Sequence, residues 1–164
     1  MKRTWNIDTV DQIDETVRLN GWVHSIRKMG EKLVFVDLRD GTALVQVVFY
    51  KPDLDEQTAT VIDELKPESA IEIEGVVQKR GDKQVNTDLP TGKIEIGAKV
   101  LTILNASKTP PFEIDKDTVK VDEQVRLKYR YLDLRSERMQ RNIRLRSDWV
   151  QACREYLFEQ RFVE

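Results

Sequence analysis

A chain of 164 residues, 40% hydrophobic and 34% charged, has room for one buried core of about 100 residues and an appendage. One cysteine and one histidine exclude an intramolecular disulfide and leave no cluster at metal-ligand spacing, and no apolar run is long enough to span a membrane or to serve as a secretory leader after Met1-Lys2-Arg3. A cytoplasmic, metal-free protein with no membrane association is expected, and its net charge of −2 hides a division: residues 126–164 carry ten basic and six acidic side chains, residues 1–125 carry 17 and 23. An acidic first domain has little general affinity for phosphate, so any RNA contact there must be local and specific.

After a polar leader, Thr16 to Arg27 alternates Val17, Leu19, Gly21 and Val23 against Arg18, Asn20, Trp22 and His24, which predicts a strand. A turn at Lys28–Lys32 leads to a second strand, Leu33 to Leu38. Arg39-Asp40-Gly41-Thr42 reads as a hairpin whose Asp-Gly pair supplies positive φ values. The third strand, Ala43 to Phe49, places Ala43, Val45, Val47 and Phe49 on its core face. Pro52-Asp53 then starts a short helix with Leu54, Thr58, Val61, Ile62 and Leu65 at helical spacing and Pro67 past its end. Strand four, Ser69 to Lys79, alternates around Gly75, where a bulge or bend is expected. A polar loop, 80–92, precedes strand five, Lys93 to Leu104.

Three meandering strands, a helix and two more strands predict a mainly β protein: a five-stranded OB-fold, the partly open Greek-key barrel that commonly binds oligonucleotides, over residues 1–107. An SH3-like barrel is the alternative, and it usually lacks the helix between strands three and four. Lys108-Thr109-Pro110-Pro111 reads as an extended linker, since each proline restricts itself and its predecessor, and it opens a hinge over 108–135. From Ser136 to about Gln160 a long helix carries two adjacent apolar stripes: Met139, Ile143, Val150, Cys153 and Leu157, and beside them Leu145, Trp149, Ala152 and Tyr156. A stripe of that width calls for a further domain or a second subunit, so the 164 residues are expected to be the front part of something longer.

Outward positions on the barrel hold the candidate chemistry. Phe35 lies opposite Val34 and Val36, and Gln46 opposite Val45 and Val47, so an aromatic and an amide can sit side by side. Aromatics stack on unpaired bases and an amide bonds a base edge in both directions. Arg27 ends the first strand, and Lys79, Arg80 and Lys83 add basic reach. Each has a plainer role available: an aromatic packed under a loop, a solvated amide, a solvated basic face. His24 reads as a rim residue, Trp22 and Trp149 as packing residues, and Cys153 as buried and inert. No Gly-rich phosphate loop and no nucleophile with a matched base is present, so no catalytic residue is assigned.

GWVHSIR (21–27), VFVDLRDGTALVQVVF (34–49), VNTDLPTGKIEI (85–96), Pro110-Pro111-Phe112 and LKYRYLDLRSERMQ (127–140), in that succession, resemble the N-terminal part of the bacterial-type aspartyl-tRNA synthetases over nearly the whole chain. The resemblance implies an OB-fold that binds the anticodon of an aspartate-type tRNA, a hinge, and the start of a class II catalytic domain whose first motif, here at 136–164, forms a homodimer. It implies that Phe35 stacks on the central anticodon base, that Gln46 bonds its edge with Arg27 nearby, and that Arg80 and Glu95 contact the anticodon, Glu95 facing the first base. ATP and magnesium are implied for the whole ligase, none for this segment, which lacks the later motifs and should be inactive alone. Gln78 stands where many relatives carry arginine. Lysyl and asparaginyl relatives share the barrel, but LPTGKIEI with KYRYLDLR favours the aspartate type.

Overall fold

Alternation of apolar and polar residues along each strand builds the first part of the molecule. In the computed structural model, which describes residues 2–164, the strands are β1 (Arg3–Thr4), β2 (Thr16–Met29), β3 (Leu33–Arg39), β4 (Leu44–Tyr50), β5 (Ala70–Lys79) and β6 (Ile94–Asn105), with helix α1 (Glu56–Glu64) between β4 and β5. Val17, Leu19 and Val23 from β2, Val34, Val36 and Leu38 from β3, Val45, Val47 and Phe49 from β4, and Ile71, Ile73, Val77, Ile94 and Ile96 from β5 and β6 form one buried cluster. Successive side chains of a strand point to opposite faces, so filling one face this way leaves the other free for function.

The pairing closes on itself. β2 runs antiparallel to β3 on one side and to β5 on the other, β3 pairs with β4, and β5 with β6. A short parallel seam of two residue pairs, Val47 with Ile96 and Val48 with Gly97, joins β4 to β6. The resulting order β2-β3-β4-β6-β5, returning to β2, is the Greek-key arrangement of the OB-fold, left partly open by its narrow seam. Helix α1 covers the cluster with Ile62 and starts at Asp55, whose carboxylate accepts the Thr58 N–H at 2.8 Å and the Thr58 hydroxyl at 2.9 Å.

Gly75 stands where the β5–β6 register shifts, and a Cβ there would meet the Gly97 carbonyl oxygen at 2.6 Å, so only glycine allows the strands to approach. The Asp40–Thr42 turn differs from the Asp-Gly expectation: neither Asp40 nor Gly41 has a positive φ. The Asp40 carboxylate organises the turn instead, accepting the backbone N–H groups of Thr42 at 2.7 Å and Ala43 at 3.1 Å. Nor is the leader merely polar. β1 adds a parallel strand to β2, and Asn6, fully buried, donates its side-chain amide to the carbonyls of Leu38 and Ala43, both at 3.0 Å, while its own N–H reaches Asp40.

The chain divides into two compact units, Met1–Pro110 and Pro111–Glu164. In the second, the stretch expected as hinge contains two short helices, α2 (Glu123–Lys128) and α3 (Arg130–Asp133), which precede the long α4 (Glu137–Glu159). Asp133 organises this part from a fully buried position, accepting the Thr118 hydroxyl at 2.8 Å and the Arg130 guanidinium at 2.6 Å. Among the described residues of α4 none is buried; Trp149, expected to pack, is 68% exposed, and Cys153, expected buried, is half-buried. Both expectations need a cover, which the width of the stripes assigns to a further domain or a second subunit; among the described residues nothing buries a side chain of α4. No helix among the described residues is long and apolar enough to cross a membrane, and no group of three or more His, Cys, Asp or Glu side chains is placed to hold a metal ion.

Candidate nucleic-acid interface

A bulge sets the aim of the outward face. Along β2 the core residues are odd-numbered up to Val23; the register against β3 then shifts between Val23 and Ser25, and Ile26 packs toward the core instead. One extra residue reverses the phase of everything after it. Without it Arg27 would point inward with Val23; with it Ser25 and Arg27 join the outer face.

Two rungs cross that face. In one, Ser25, Asp37 and Gln46 stand opposite each other on β2, β3 and β4; in the next, Arg27, Phe35 and Val48 do. Phe35 is half-buried between its neighbours, with part of its surface open. Beyond β4, the seam brings Glu95 and Gly97 of β6 alongside, and Gln78 of β5 stands opposite Glu95. Gly97 leaves a gap that the Gln78 amide covers, its Nε2 lying 3.0 Å from where a Cβ would be.

Hydrogen bonds join these side chains into one chain of charges. The Arg27 guanidinium donates through Nη2 to Asp37 Oδ1 at 3.2 Å and to Gln46 Oε1 at 3.2 Å. Gln46 donates through Nε2 to Glu95 Oε2 at 3.1 Å, and Arg80 Nε lies 3.5 Å from the same oxygen. Arg27 has only donors and ionised Glu95 only acceptors, so the two ends of the Gln46 amide are assigned without ambiguity. Each end keeps one valence: a lone pair on Oε1 and one N–H on Nε2 remain for a base edge.

Arg80 departs most from the expected arrangement. Its residue is only 6% exposed, so it supplies no basic reach; Lys79 and Lys83 are the exposed cations of that stretch. Burial pushes the Arg80 guanidinium below its ordinary value, while Glu95 and then Asp37 oppose the shift and Arg27 adds to it. It remains charged at neutral pH. From this position Arg80 supports Glu95 rather than reaching out. The structure therefore brings Arg27, Gln46, Arg80 and Glu95 into one network beside Phe35. Ser25 and Asp37 belong to the same surface and were not singled out as site residues from the sequence, and Gln78, noted there only as standing where many relatives carry arginine, lies beside them; the switch of apolar phase from Val23 to Ile26 is the signal that places Ser25 and Arg27 with Phe35.

Comparison with known proteins agrees with this fold. Residues 17–104 match the model of the OB-fold nucleic acid binding domain, and residues 122–164 that of the class II tRNA synthetases (D, K and N). The chain belongs to the OB-fold nucleic acid binding domain family. An aspartate–tRNA ligase of Staphylococcus epidermidis is 42% identical over 149 residues, which cover 91% of this chain and 25% of that protein. An aspartate–tRNA(Asp/Asn) ligase of Rubrobacter xylanophilus is 49% identical over 152 residues, covering 93% and 25%. The crystal structure of asparaginyl-tRNA synthetase from Pyrococcus horikoshii complexed with asparaginyl-adenylate superposes with a TM-score of 0.81 at 25% identity, covering 98% of this chain and 35% of that one. The chain thus spans about a quarter of the length of the curated relatives it matches. The OB-fold expected from the strand order is confirmed, with β1 as an added sixth strand.

Proposed function

We propose that the OB-fold unit reads the anticodon of an aspartate-type tRNA as part of an aspartate–tRNA ligase. The observation that carries the proposal is the side-by-side placement of Phe35 and the oriented Gln46 amide on the outward face of a nucleic-acid-binding OB-fold whose relatives are aspartate–tRNA ligases. An unstacked central base lies on the Phe35 ring, a contact contributing about 1–3 kcal/mol. Gln46 offers its remaining lone pair and N–H to that base's edge, and Glu95 accepts from the first base, steadied by Arg80. Lys79 and Lys83 contribute a modest phosphate term.

The ligase activity belongs to the whole protein, together with ATP and magnesium, and no side chain here is assigned to them. The whole ligase acts as a homodimer in the cytoplasm; the uncovered apolar side chains of α4 support a subunit contact. Aspartate–tRNA ligases and aspartate–tRNA(Asp/Asn) ligases are both among this chain's relatives, so RNA of both types belongs in the test.

The test is a titration of this chain with aspartate-type and asparagine-type anticodon stem-loops, beside versions altered at the central base, at two salt concentrations. Selective binding that is lost on altering the central base is expected. Weak, base-blind and steeply salt-dependent binding would overturn the assignment.

A further inference from the structure

A carboxylate on a surface that receives RNA disfavours phosphate nearby, and Asp37 sits in the middle of this one. Base contact gives it no task. Its bonds do: Oδ2 accepts the Ser25 hydroxyl at 2.5 Å, and both carboxylate oxygens lie within 3.4 Å of Arg27 Nη2. Ser25 and Gln46 are its direct cross-strand neighbours. The Asp37 side chain is 21% exposed, whereas that of Arg27 is 60% exposed, so the carboxylate is the fixed member of the pair.

A long exposed arginine loses much rotamer freedom when it is held in one place for a ligand. Here every side-chain hydrogen bond that Arg27 makes among the described residues passes through Nη2, leaving Nη1 and Nε as donors. The same nitrogen donates to Gln46 Oε1, so holding Arg27 also holds the amide in its assigned orientation. We propose that Asp37, braced by Ser25, is a positioning residue for anticodon reading: it clamps Arg27 through one nitrogen, which orients Gln46 and leaves the other guanidinium donors for RNA. This rests on the anticodon assignment, in which Arg27 and Gln46 meet the RNA and Asp37 does not.

The test uses the full chain with Asp37→Asn, Asp37→Glu, Arg27→Ala and the double variant Asp37→Asn/Arg27→Ala, titrated with the aspartate-type stem-loop and its central-base variant. Asp37→Asn is isosteric and outside the core, and its thermal unfolding midpoint checks that the barrel is intact. Asp37→Asn is expected to weaken binding about tenfold and to narrow the ratio between the two RNAs. Asp37→Glu is expected to restore part of the loss, and Asp37→Asn to cost little more once Arg27 is absent. Unchanged or tighter binding by Asp37→Asn would show that the carboxylate merely repels phosphate, and an equal loss with and without Arg27 would show that it acts elsewhere; either result overturns the clamp while the anticodon assignment stands. A parent chain that does not distinguish the two RNAs overturns both.

Discussion

In the proposed anticodon reading, Phe35 and Gln46 divide the work by chemistry. A ring face stacks on any base and so supplies affinity; an amide with one free acceptor and one free donor supplies choice. Phe35→Ala is therefore expected to weaken binding to all stem-loops by about 1–3 kcal/mol, and Gln46→Ala to narrow the preference at the central base with a smaller loss of affinity. Affinities of both variants for parent and altered stem-loops separate the two effects, and equal preference in parent and Gln46→Ala would remove Gln46 from the scheme. Phe35 and Gln46 were legible because each is a polar or aromatic exception in a strand of valines. Arg80 was legible as a residue but not as a buried one, since its cover comes from the approach of β6 and the loop after β5. Asn6 gave no signal at all: its partners are carbonyls more than thirty positions away, at Leu38 and Ala43.

At the scale of elements, β2 shows how one residue decides which side chains join the outward face. The alternation Val17, Leu19, Val23 is readable, but a strand read with a single phase sends Arg27 to the core; the structure breaks the phase before Ser25. The Asp40-Gly41 turn was legible as a turn and misread in its chemistry, because a side-chain carboxylate that collects backbone N–H groups removes the need for a positive φ. Helix α1 carries a pH dependence with a definite sign. Thr58, through its N–H first and its hydroxyl second, lowers the Asp55 carboxyl below its ordinary 3.8. A carboxyl whose folded value is depressed contributes stability above its unfolded value and loses it as pH falls through the folded one. Lys51 and Lys28 depress Asp63 at the other end of α1 in the same sense. Asp55→Asn keeps a good capping side chain without the titration. Its melting temperature is expected to fall less steeply than the parent's between pH 5 and pH 3; parallel curves would show that the cap does not contribute.

For the whole molecule, the two units pose different physical problems. The OB-fold unit buries its own core and exposes a polar, ordered face. In the unit that follows, α4 buries nothing among the described residues, and Ile143, Leu145, Trp149, Tyr156, Leu157 and Phe158 stay exposed. An apolar surface of that extent favours association. Sedimentation of the chain over a concentration series is expected to show self-association that Trp149→Asp with Leu157→Asp reduces, while the unfolding of the OB-fold unit stays unchanged; a chain that is monomeric throughout would show that a second copy of this chain does not cover α4. The width of the stripe was legible in the sequence, and with it the need for a cover beyond the barrel; what that cover is was not, because periodicity reports which face is apolar and is silent on what covers it.

The most direct measurement is a residue-resolved map of the RNA contact, from backbone and side-chain amide NMR shifts of the chain titrated with the aspartate-type stem-loop. The largest changes are expected at Arg27, Phe35, Asp37, the Gln46 side-chain amide and Glu95, with Arg18 and Asn20 on the far part of β2 unmoved. Changes centred on Arg18, Asn20 and Glu72, or on α4, would contradict the account.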